Sequence, residues 1–315
     1  MKYQPTKIVC FGGGTGLSTL LSGLKKNPWL DITAIVNMFD NGGSSGELRD
    51  RFGILPPGDV LKCLLALSED EKAARSMLLK RIRNRGYSGH TGGNILLMGL
   101  EKVYGNYPDA IDAFAQLLSV QGYVVPVTLE KATLCARFAD GQVSRGEVHV
   151  DIGVFEGKRV EHLYLEPEVK ASPGALEAID DARVICVGPG SFYTSLLPNF
   201  LPAGIREAIA ESKAPIIYNA NLLHEGARDG SIGAILEVLE KYLGRSVDRV
   251  IVNSRWPEKP AIQKYEEERK YLLVSNDSTD PRVVEAMLWI DDTIARHDPA
   301  KLAQLLSVVI EKVRR

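Results

Sequence analysis

The chain has 315 residues, of which 45% are hydrophobic and 25% charged, and its formal net charge is −2. This composition suits a globular protein with a large core, and the near-zero net charge offers no basic surface for nucleic acid. The four cysteines form no C-x-x-C pair and have neither zinc-site nor disulfide-framework spacing. No signal peptide and no apolar run of roughly 18 residues is present, so we expect a cytoplasmic protein without a membrane span.

Three apolar runs that have the character of buried strands each lead into a glycine-rich turn. Residues 7–11 precede the first turn (12–16), residues 32–39 precede the second turn (40–46), and residues 184–187 precede the third turn (188–191). A strand, a glycine turn and a helix together present bare backbone N–H groups to an anion. Several such turns in one chain predict a phosphorylated ligand, such as a nucleotide.

The remaining elements follow in chain order from hydrophobic periodicity. Helical patterns are predicted at 15–26, from 59 to about 83, at 93–103 and at 109–120. An antiparallel hairpin is predicted at about 123–153, where residues 133–138 and 143–152 flank Asp140-Gly141. Strands and helices then alternate again. Residues 282–289 fit either a strand or a helix, and Asp298 and Pro299 begin the last helix.

Strands that alternate with helices predict a single α/β domain over residues 1–315. Its fold is expected to be a Rossmann-like three-layer fold with a mostly parallel sheet and a small antiparallel hairpin addition. Ligands of such sheets bind at the carboxyl ends of the strands, where the three turns would cluster. The first turn is neither a G-x-G-x-x-G fingerprint, because residue 17 is Leu17, nor a P-loop, because no lysine follows Gly16.

Polar residues in and after these turns are the candidate site residues. Asp40 ends the second strand and is the candidate catalytic residue, because a carboxylate there can hold a ribose hydroxyl, bind a metal or accept a proton. Asn219 and Asn221 could contact a base or sugar, or equally satisfy loop backbone. The candidate ligand-binding residues are Gly12, Gly13, Gly14, Thr15, Gly16, Asn41, Gly42, Gly43, Ser44, Ser45, His90, Thr91, Gly92, Asn94, Gly188, Gly190, Ser191, Tyr193, Thr194, Ser195, Asn219 and Asn221.

The order of the motifs resembles that of a known family. The motifs are F-G-G-G-T-G-L at 11–17, D-N-G-G-S-S-G at 40–46, P-P-G-D at 56–59, G-H-T-G-G-N at 89–94 and G-P-G-S at 188–191. Together they resemble the YvcK-like gluconeogenesis factor family, within the CofD-like 2-phospho-L-lactate transferases. The resemblance runs from about residue 7 to about residue 306. It implies a Rossmann-like fold, with Arg296 as a diphosphate contact and Tyr265 beside the site.

The resemblance leaves two functions open. YvcK-like proteins bind a uridine-diphosphate sugar such as UDP-N-acetylglucosamine and regulate carbon flux, cell shape and peptidoglycan synthesis. The transferases use Mg²⁺ and a guanosine-diphosphate conjugate to add a phospholactyl group to a deazaflavin. Asn41 stands where the family commonly has a second aspartate, and a single carboxylate makes a weaker metal site. We therefore predict a nucleotide-sugar-binding regulator with no required cofactor or metal, and a homodimer is the assembly to test.

Overall fold

The computed structural model describes residues 4–43, 46–48, 54–82, 89–225, 231–254, 259–273, 280–290 and 295–313. Its strands are β1 Thr6–Gly12, β2 Leu30–Val36, β3 Tyr123–Pro126, β4 Thr133–Phe138, β5 Val143–Arg145, β6 Val160–Glu166, β7 Val184–Val187, β8 Ile216–Asn219, β9 Leu223–Glu225, β10 Arg249–Asn253, β11 Lys270–Leu272 and β12 Val283–Ala286. Its α-helices are α1 Gly14–Leu24, α2 Gly58–Leu67, α3 Glu71–Leu78, α4 Gly92–Tyr104, α5 Tyr107–Leu117, α6 Glu147–Phe155, α7 Pro173–Asp181, α8 Ile205–Glu211, α9 Ile232–Leu243, α10 Lys259–Glu267 and α11 Pro299–Val313.

The main sheet confirms the predicted fold class. Within the described residues it has seven strands in the order β12-β10-β8-β7-β1-β2-β3, and every neighbouring pair is parallel. All four residues of β7 are buried, as are all four of β8. Continuous apolar strands of this kind are typical of a parallel sheet that helices cover on both faces.

The first helix begins directly from the first turn and packs on the core as its apolar spacing predicts. Leu17, Leu20, Leu21 and Leu24 are all fully buried. α1 packs against α2 and α11. A Cβ atom at Gly23 would lie 2.1 Å from the carbonyl oxygen of Pro299, so only glycine permits this approach of α1 to α11.

The start of the last helix also follows the sequence prediction. The Oδ1 atom of Asp298 accepts hydrogen bonds from the backbone N–H groups of Ala300 at 2.9 Å and Lys301 at 3.2 Å. A side-chain acceptor at this position satisfies N–H groups that have no partner inside the helix.

No helix in the described part of the chain is both long and apolar enough to cross a membrane.

The antiparallel part of the chain differs from the predicted hairpin at 123–153. β3 is the end strand of the parallel sheet, and the antiparallel sheet has the order β5-β4-β6, so it extends to residue 166. β4 and β5 form the hairpin expected around Asp140-Gly141. The ambiguous segment at 282–289 contains strand β12.

The predicted second arm of the hairpin, residues 143–152, is wrong after residue 145, because the chain forms helix α6 there. Val150, Gly153 and Val154 are buried at helical spacing, whereas Val148 and Ile152 are 43% and 49% exposed. A Cβ atom at Gly153 would lie 2.4 Å from Cζ of Phe138 on β4, so the helix lies close against the small sheet.

Candidate functional site

The first and third turns meet at the carboxyl ends of β1 and β7. A Cβ atom at Gly16 would lie 2.3 Å from the carbonyl oxygen of Pro189, and Gly188 donates its backbone N–H to the carbonyl of Phe11 at 3.0 Å. Gly14 and Gly188 have positive φ angles of 62° and 73°, which glycine adopts readily. Two bare backbone turns therefore lie side by side, as the strand order of a parallel sheet predicts.

Asn221 fixes the position of the third turn. Its Oδ1 atom accepts the backbone N–H of Gly190 at 2.9 Å, and its Nδ2 group donates to the carbonyl of Gly190 at 2.7 Å. Asn219 is fully buried and donates to the carbonyls of Val187 and Gly188, each at 3.4 Å. Both amide side chains therefore bond to the backbone of the third turn. This is one of the two roles expected from the sequence, the other being contact with a base or sugar.

The second turn packs against the start of helix α6. Asp40 accepts the backbone N–H of Gly42 at 2.7 Å through Oδ1. The Oδ1 atom of Asn41 accepts the backbone N–H of Val148 at 3.2 Å, which caps the start of α6. A Cβ atom at Gly146 would lie 2.1 Å from Nδ2 of Asn41, so the amide fits against a bare backbone.

Several carboxyl side chains lie near the first and second turns, and the two on α6, Glu147 and Asp151, were not predicted from the sequence. Burial raises the pKa of Glu147 well above its usual range, and the Asp40 carboxylate, to which Glu147 is hydrogen-bonded, raises it further. Burial also raises the pKa of Asp151, although the Thr194 hydroxyl, which donates to its Oδ1 atom at 2.8 Å, opposes that rise. Asp59 lies against the first turn, since a Cβ atom at Gly13 would lie 2.7 Å from its Oδ2 atom.

The residues after the third turn form one turn of π-helix, Phe192–Leu196, followed by a 3₁₀ turn, Leu197–Phe200. Thr194 is buried and bonded to Asp151, and its carbonyl accepts Nδ2 of Asn37 at 3.1 Å. The ring of Tyr193 packs edge-on against Phe192, with 5.1 Å between centroids. This short helix therefore connects the third turn to α6 and to the end of β2.

The segment at 89–94, which carries the G-H-T-G-G-N motif, lies close to the end of the second turn. Nε2 of His90 lies 3.7 Å from Oε1 of Glu47, and the His90 side chain is buried. Thr91 caps α4, because its Oγ1 atom accepts the backbone N–H of Asn94 at 3.3 Å. Gly92 begins the same helix. Ser44 and Ser45 lie outside the described residues, so their predicted role stays a prediction.

A cavity of about 320 Å³ opens where the first and third turns meet. From the predicted set it is lined by Thr15, Gly16, Gly190, Ser191, Asn221 and Arg296. Tyr265, Glu225, Lys270 and His297 complete the charged and aromatic lining. Among the described residues, neither the second turn nor the segment at 89–94 lines this cavity, so the predicted residues fall into two neighbouring groups.

Two cationic side chains, Lys270 and Arg296, line the cavity and bring positive charge to it, and Nζ of Lys270 also lies 3.0 Å from Oε2 of Glu268. The Tyr265 hydroxyl accepts the backbone N–H of Ala295 at 2.8 Å, which fixes the segment that carries Arg296. Glu225 accepts a hydrogen bond from the Ser191 hydroxyl at 3.3 Å, and burial raises the pKa of its carboxyl. The arrangement can hold an anion between backbone N–H groups and cations.

His297 is a buried base at the same cavity. Its side chain is 7% exposed, and burial lowers its pKa to about 4, although a hydrogen bond with the backbone of Ala220 opposes the change. Its Nε2 atom has no hydrogen-bond partner among the described residues. The imidazole is therefore neutral at physiological pH.

Comparisons with known proteins agree with these motifs. The family model described as 2-phospho-L-lactate transferase CofD matches residues 8–291. The chain is 37% identical to a putative gluconeogenesis factor of Thermotoga maritima, over 98% of this chain and 99% of the relative. It is 35% identical to the gluconeogenesis factor of Listeria monocytogenes, over 98% of this chain and 97% of that one.

Solved structures show the same fold. A protein from Bacillus halodurans superposes with a TM-score of 0.90 at 34% identity, over 96% of this chain and all of the other. A second crystal structure of the same protein, described as a member of the UPF0052 family, gives a TM-score of 0.89 at 35% identity, over 96% of this chain and 99% of the other. Because the family model covers most of the sequence, this chain belongs to the CofD family, and it is similar over its full length to bacterial gluconeogenesis factors.

Proposed function

We propose that this protein is a cytoplasmic regulator of carbon metabolism, cell shape and peptidoglycan synthesis that binds a uridine-diphosphate sugar, such as UDP-N-acetylglucosamine, and requires no cofactor. The observation that carries the proposal is the cavity where the first and third turns meet Lys270 and Arg296. The names of the relatives support a role in carbon metabolism, since they are called gluconeogenesis factors.

The cavity favours a diphosphate over an uncharged ligand. Thr15 and Gly16 lie in the first turn of α1, where backbone N–H groups have no partner inside the helix and can bind an anion, and the positive end of the helix dipole is directed toward the same turn. Lys270 and Arg296, which also line the cavity, supply positive charge to it. An Arg side chain can bind two phosphate oxygens at once.

The polar groups around the diphosphate position suit a sugar or a base. His297 adds a neutral imidazole to the cavity lining, and Tyr265 adds an aromatic ring. Small-molecule sites typically combine apolar walls with a few such polar groups. We assign these two side chains to orientation of the ligand and the two cations to its affinity.

A divalent metal fits the described residues poorly. No group of three or more His, Cys, Asp or Glu side chains in the described part of the chain is placed to hold a metal ion. The raised pKa of Glu147 keeps that carboxyl protonated at neutral pH, so it donates to Asp40 instead of adding a negative charge. The Oδ1 atom of Asn41, the atom that a metal would need, already accepts a hydrogen bond from the backbone N–H of Val148. These observations favour binding without Mg²⁺.

Isothermal titration calorimetry tests the proposal with UDP-N-acetylglucosamine, GDP, NAD and FAD, each with Mg²⁺ and with EDTA. We expect the UDP sugar to bind equally well in both conditions. Lys270→Ala and Arg296→Ala should each weaken binding about tenfold or more, because each removes a charge-assisted contact. Lys264→Ala is the matched control, since Lys264 is exposed on α10 and lies outside the cavity. Absence of binding by any nucleotide at millimolar concentration contradicts the proposal.

The second candidate function is a transferase that moves a phospholactyl group from a guanosine-diphosphate conjugate to a deazaflavin. The family description supports it, and so does the Asp40–Glu147 pair, which could take and return a proton. Its test is turnover of that donor and acceptor with Mg²⁺. Turnover that is lost in Asp40→Asn would establish the transferase and replace the regulator, whereas no turnover in a protein that binds the UDP sugar would exclude it.

A further inference from the structure

One carboxyl side chain lines a cavity whose other charged groups are cations. Glu225, the last residue of β9, is the one acidic residue among the described residues that line the cavity where the first and third turns meet. Lys270 and Arg296 supply positive charge there. A diphosphate accepts hydrogen bonds and does not donate them, and its charge has the same sign as that of a carboxylate. The binding of a diphosphate therefore does not explain Glu225.

The Glu225 carboxyl lies at the edge of the third turn. The Ser191 hydroxyl donates to its Oε1 atom at 3.3 Å, and Ser191 directly follows Gly190 in that turn. Glu225 is also the register partner of Lys270 in the antiparallel pairing of β9 with β11. The carboxyl is therefore one hydrogen bond away from the turn to which we assign the diphosphate, so it is placed to contact ligand groups next to the diphosphate.

The second carboxyl oxygen of Glu225 is left for a ligand. Among the described residues, the Ser191 hydroxyl is the one hydrogen-bond partner of Glu225, and no salt bridge reaches its carboxyl. Nζ of Lys270 lies 3.0 Å from Oε2 of Glu268 instead. The two oxygens of a carboxylate can accept about four hydrogen bonds, and a partly buried acceptor without partners destabilises a protein. The Oε2 atom of Glu225 therefore has the capacity to accept a hydrogen bond from a bound molecule.

The pKa of Glu225 agrees with this description. Burial raises the pKa of its carboxyl, and the charge of Asp151 raises it further. The Ser191 hydrogen bond and the charge of Lys270 oppose the rise without cancelling it. A carboxyl that is partly withdrawn from water and has no close cation shows a shift in this direction. A neutral donor, such as a hydroxyl group or an amide N–H, can satisfy such a carboxyl whether or not it is ionised.

The donor nearest to the diphosphate of a UDP sugar belongs to the sugar. C2 of the sugar is bonded to the carbon that carries the phosphate, and it bears a hydroxyl group in UDP-glucose and an amide N–H in UDP-N-acetylglucosamine. The ribose hydroxyl groups lie further from the phosphate-bearing carbon of the ribose. The base is separated from the diphosphate by the ribose, and uracil presents its one N–H between two carbonyl oxygens. The donor on C2 of the sugar therefore suits a carboxyl at the edge of the third turn best.

We propose that Glu225 selects the sugar of the bound nucleotide by accepting a hydrogen bond from the donor on C2 of the sugar. The ligand class is a nucleoside diphosphate sugar that has a hydroxyl or an acylamino group at C2. This role rests on the proposed function, since its ligand is the UDP sugar, and it distinguishes the sugar nucleotide from the free nucleotide. A site that accepts this hydrogen bond disfavours ligands without the donor, because its acceptor is then left unpaired.

Isothermal titration calorimetry of Glu225→Ala with UDP-N-acetylglucosamine, UDP-glucose and UDP, all in EDTA, tests this role on the full chain. We expect the variant to bind both sugar nucleotides at least about tenfold more weakly than the unaltered protein does. Its affinity for UDP should not fall, because UDP ends at the diphosphate and has no donor for Glu225. Equal weakening for UDP and for the UDP sugars, or no weakening at all, overturns the proposal.

A matched variant separates a local effect from a change in net charge. Glu266→Ala removes the same charge from an exposed position on α10 that lies outside the cavity. This control should bind all three ligands as the unaltered protein does. Equal weakening of sugar-nucleotide binding in Glu266→Ala and Glu225→Ala overturns the proposal, because affinity would then follow net charge alone. A melting temperature close to that of the unaltered protein verifies that each variant is folded.

The ligand provides a second test that needs no variant. UDP-2-deoxy-2-fluoroglucose has fluorine in place of the C2 hydroxyl group and should bind the unaltered protein at least about tenfold more weakly than UDP-glucose does. Glu225→Ala should bind these two ligands equally well, because the partner of the missing donor is also absent. Equal affinity of the unaltered protein for the two ligands overturns the proposal.

The results separate the role of Glu225 from the proposed function. Failure of every nucleotide to bind contradicts both. Binding of UDP-N-acetylglucosamine with the same preference over UDP in Glu225→Ala and in the unaltered protein keeps the proposed function and overturns the role of Glu225. GDP is the last ligand, because guanine presents two adjacent N–H donors that match a carboxylate. Selective loss of GDP affinity in Glu225→Ala would assign Glu225 to the base and overturn the proposal.

Discussion

The contact between Gly16 and Pro189 gives the sharpest test of the proposed site. Gly16 is the third residue of α1, and a Cβ atom there would lie 2.3 Å from the carbonyl oxygen and 2.6 Å from the carbonyl carbon of Pro189. Because carbon and oxygen atoms normally stay more than 3 Å apart, Gly16→Ala must displace one of the two turns by about 1 Å. Both turns line the cavity, so the substitution should affect stability and ligand binding together.

The magnitude follows from two opposing effects. Alanine in place of glycine inside a helix stabilises the folded protein by about 1 kcal/mol, whereas forcing a methyl group into a filled space costs about 1–3 kcal/mol. Gly99 in α4 supplies the matched control, because no atom lies within 4 Å of its Cβ position. Gly99→Ala should therefore raise stability by about 0.5–1 kcal/mol. We expect the two variants to differ by about 1–3 kcal/mol, with Gly16→Ala the less stable.

Differential scanning calorimetry and titration with UDP-N-acetylglucosamine measure both consequences. The melting temperature of Gly16→Ala should lie about 1.5–4.5 °C below that of Gly99→Ala, since a chain of 315 residues loses about 0.66 kcal/mol of stability per degree near the midpoint. Its ligand affinity should fall about tenfold or more, while Gly99→Ala binds as the unaltered protein does. Equal melting temperatures and equal affinities in the two variants would refute the close contact between the turns.

Three further predictions concern polar groups of the site. Asn221→Ala removes both hydrogen bonds to Gly190, so it should lower the free energy of unfolding by about 1–3 kcal/mol. It should also weaken ligand binding, and calorimetry measures both effects. An unaltered affinity would show that the third turn does not contribute to ligand binding. The folded protein holds a proton on Glu147 that the unfolded chain releases above a pH of about 4.3, so the stability of the protein falls as the pH rises. Between about pH 5 and pH 8 the melting temperature should therefore fall less in Glu147→Gln than in the unaltered protein. Parallel pH profiles of the two proteins would contradict this. The pKa of His297 is lowered to about 4 in the folded state, so its contribution to stability is present above a pH of about 6.5 and is lost as the pH falls toward 4. His297→Gln should reduce that acid dependence of the melting temperature, and an identical acid limb would show that other groups cause it.

The sequence predicted those features of the site that depend on neighbouring residues. Gly14 and Gly188 adopt positive φ angles at the ends of predicted strands, and Asp298 caps the helix that begins at Pro299. Each signal lies within a few residues of the feature that it predicts. The order of strands and helices was sufficient for the fold class, because parallel strands need crossover connections and buried strands need continuous apolar runs.

Helix α6 is the element for which the local sequence pattern predicted the wrong structure. Val148, Val150 and Ile152 alternate with polar residues as in a strand, yet two of the three apolar side chains are exposed on the helix. The helix begins where the Asn41 side chain, 107 residues away along the chain, accepts the backbone N–H of Val148. A contact over that distance has no signature in the local sequence. The carboxyl groups of Glu147 and Asp151 were missed for the same reason.

The sequence by itself thus determined the glycine turns, the parallel sheet and the family. Only the tertiary structure decided which of the predicted residues share a cavity. Lys270 and Glu225 are single charged residues in segments without a motif, and strand pairing between β11 and β9 brings them near Ser191. Asn221 was read as open to either role and proved to hold the backbone of Gly190. Charge and hydrogen-bond partners depend on distances through space, and these are set when the whole chain packs, not by the order of its residues.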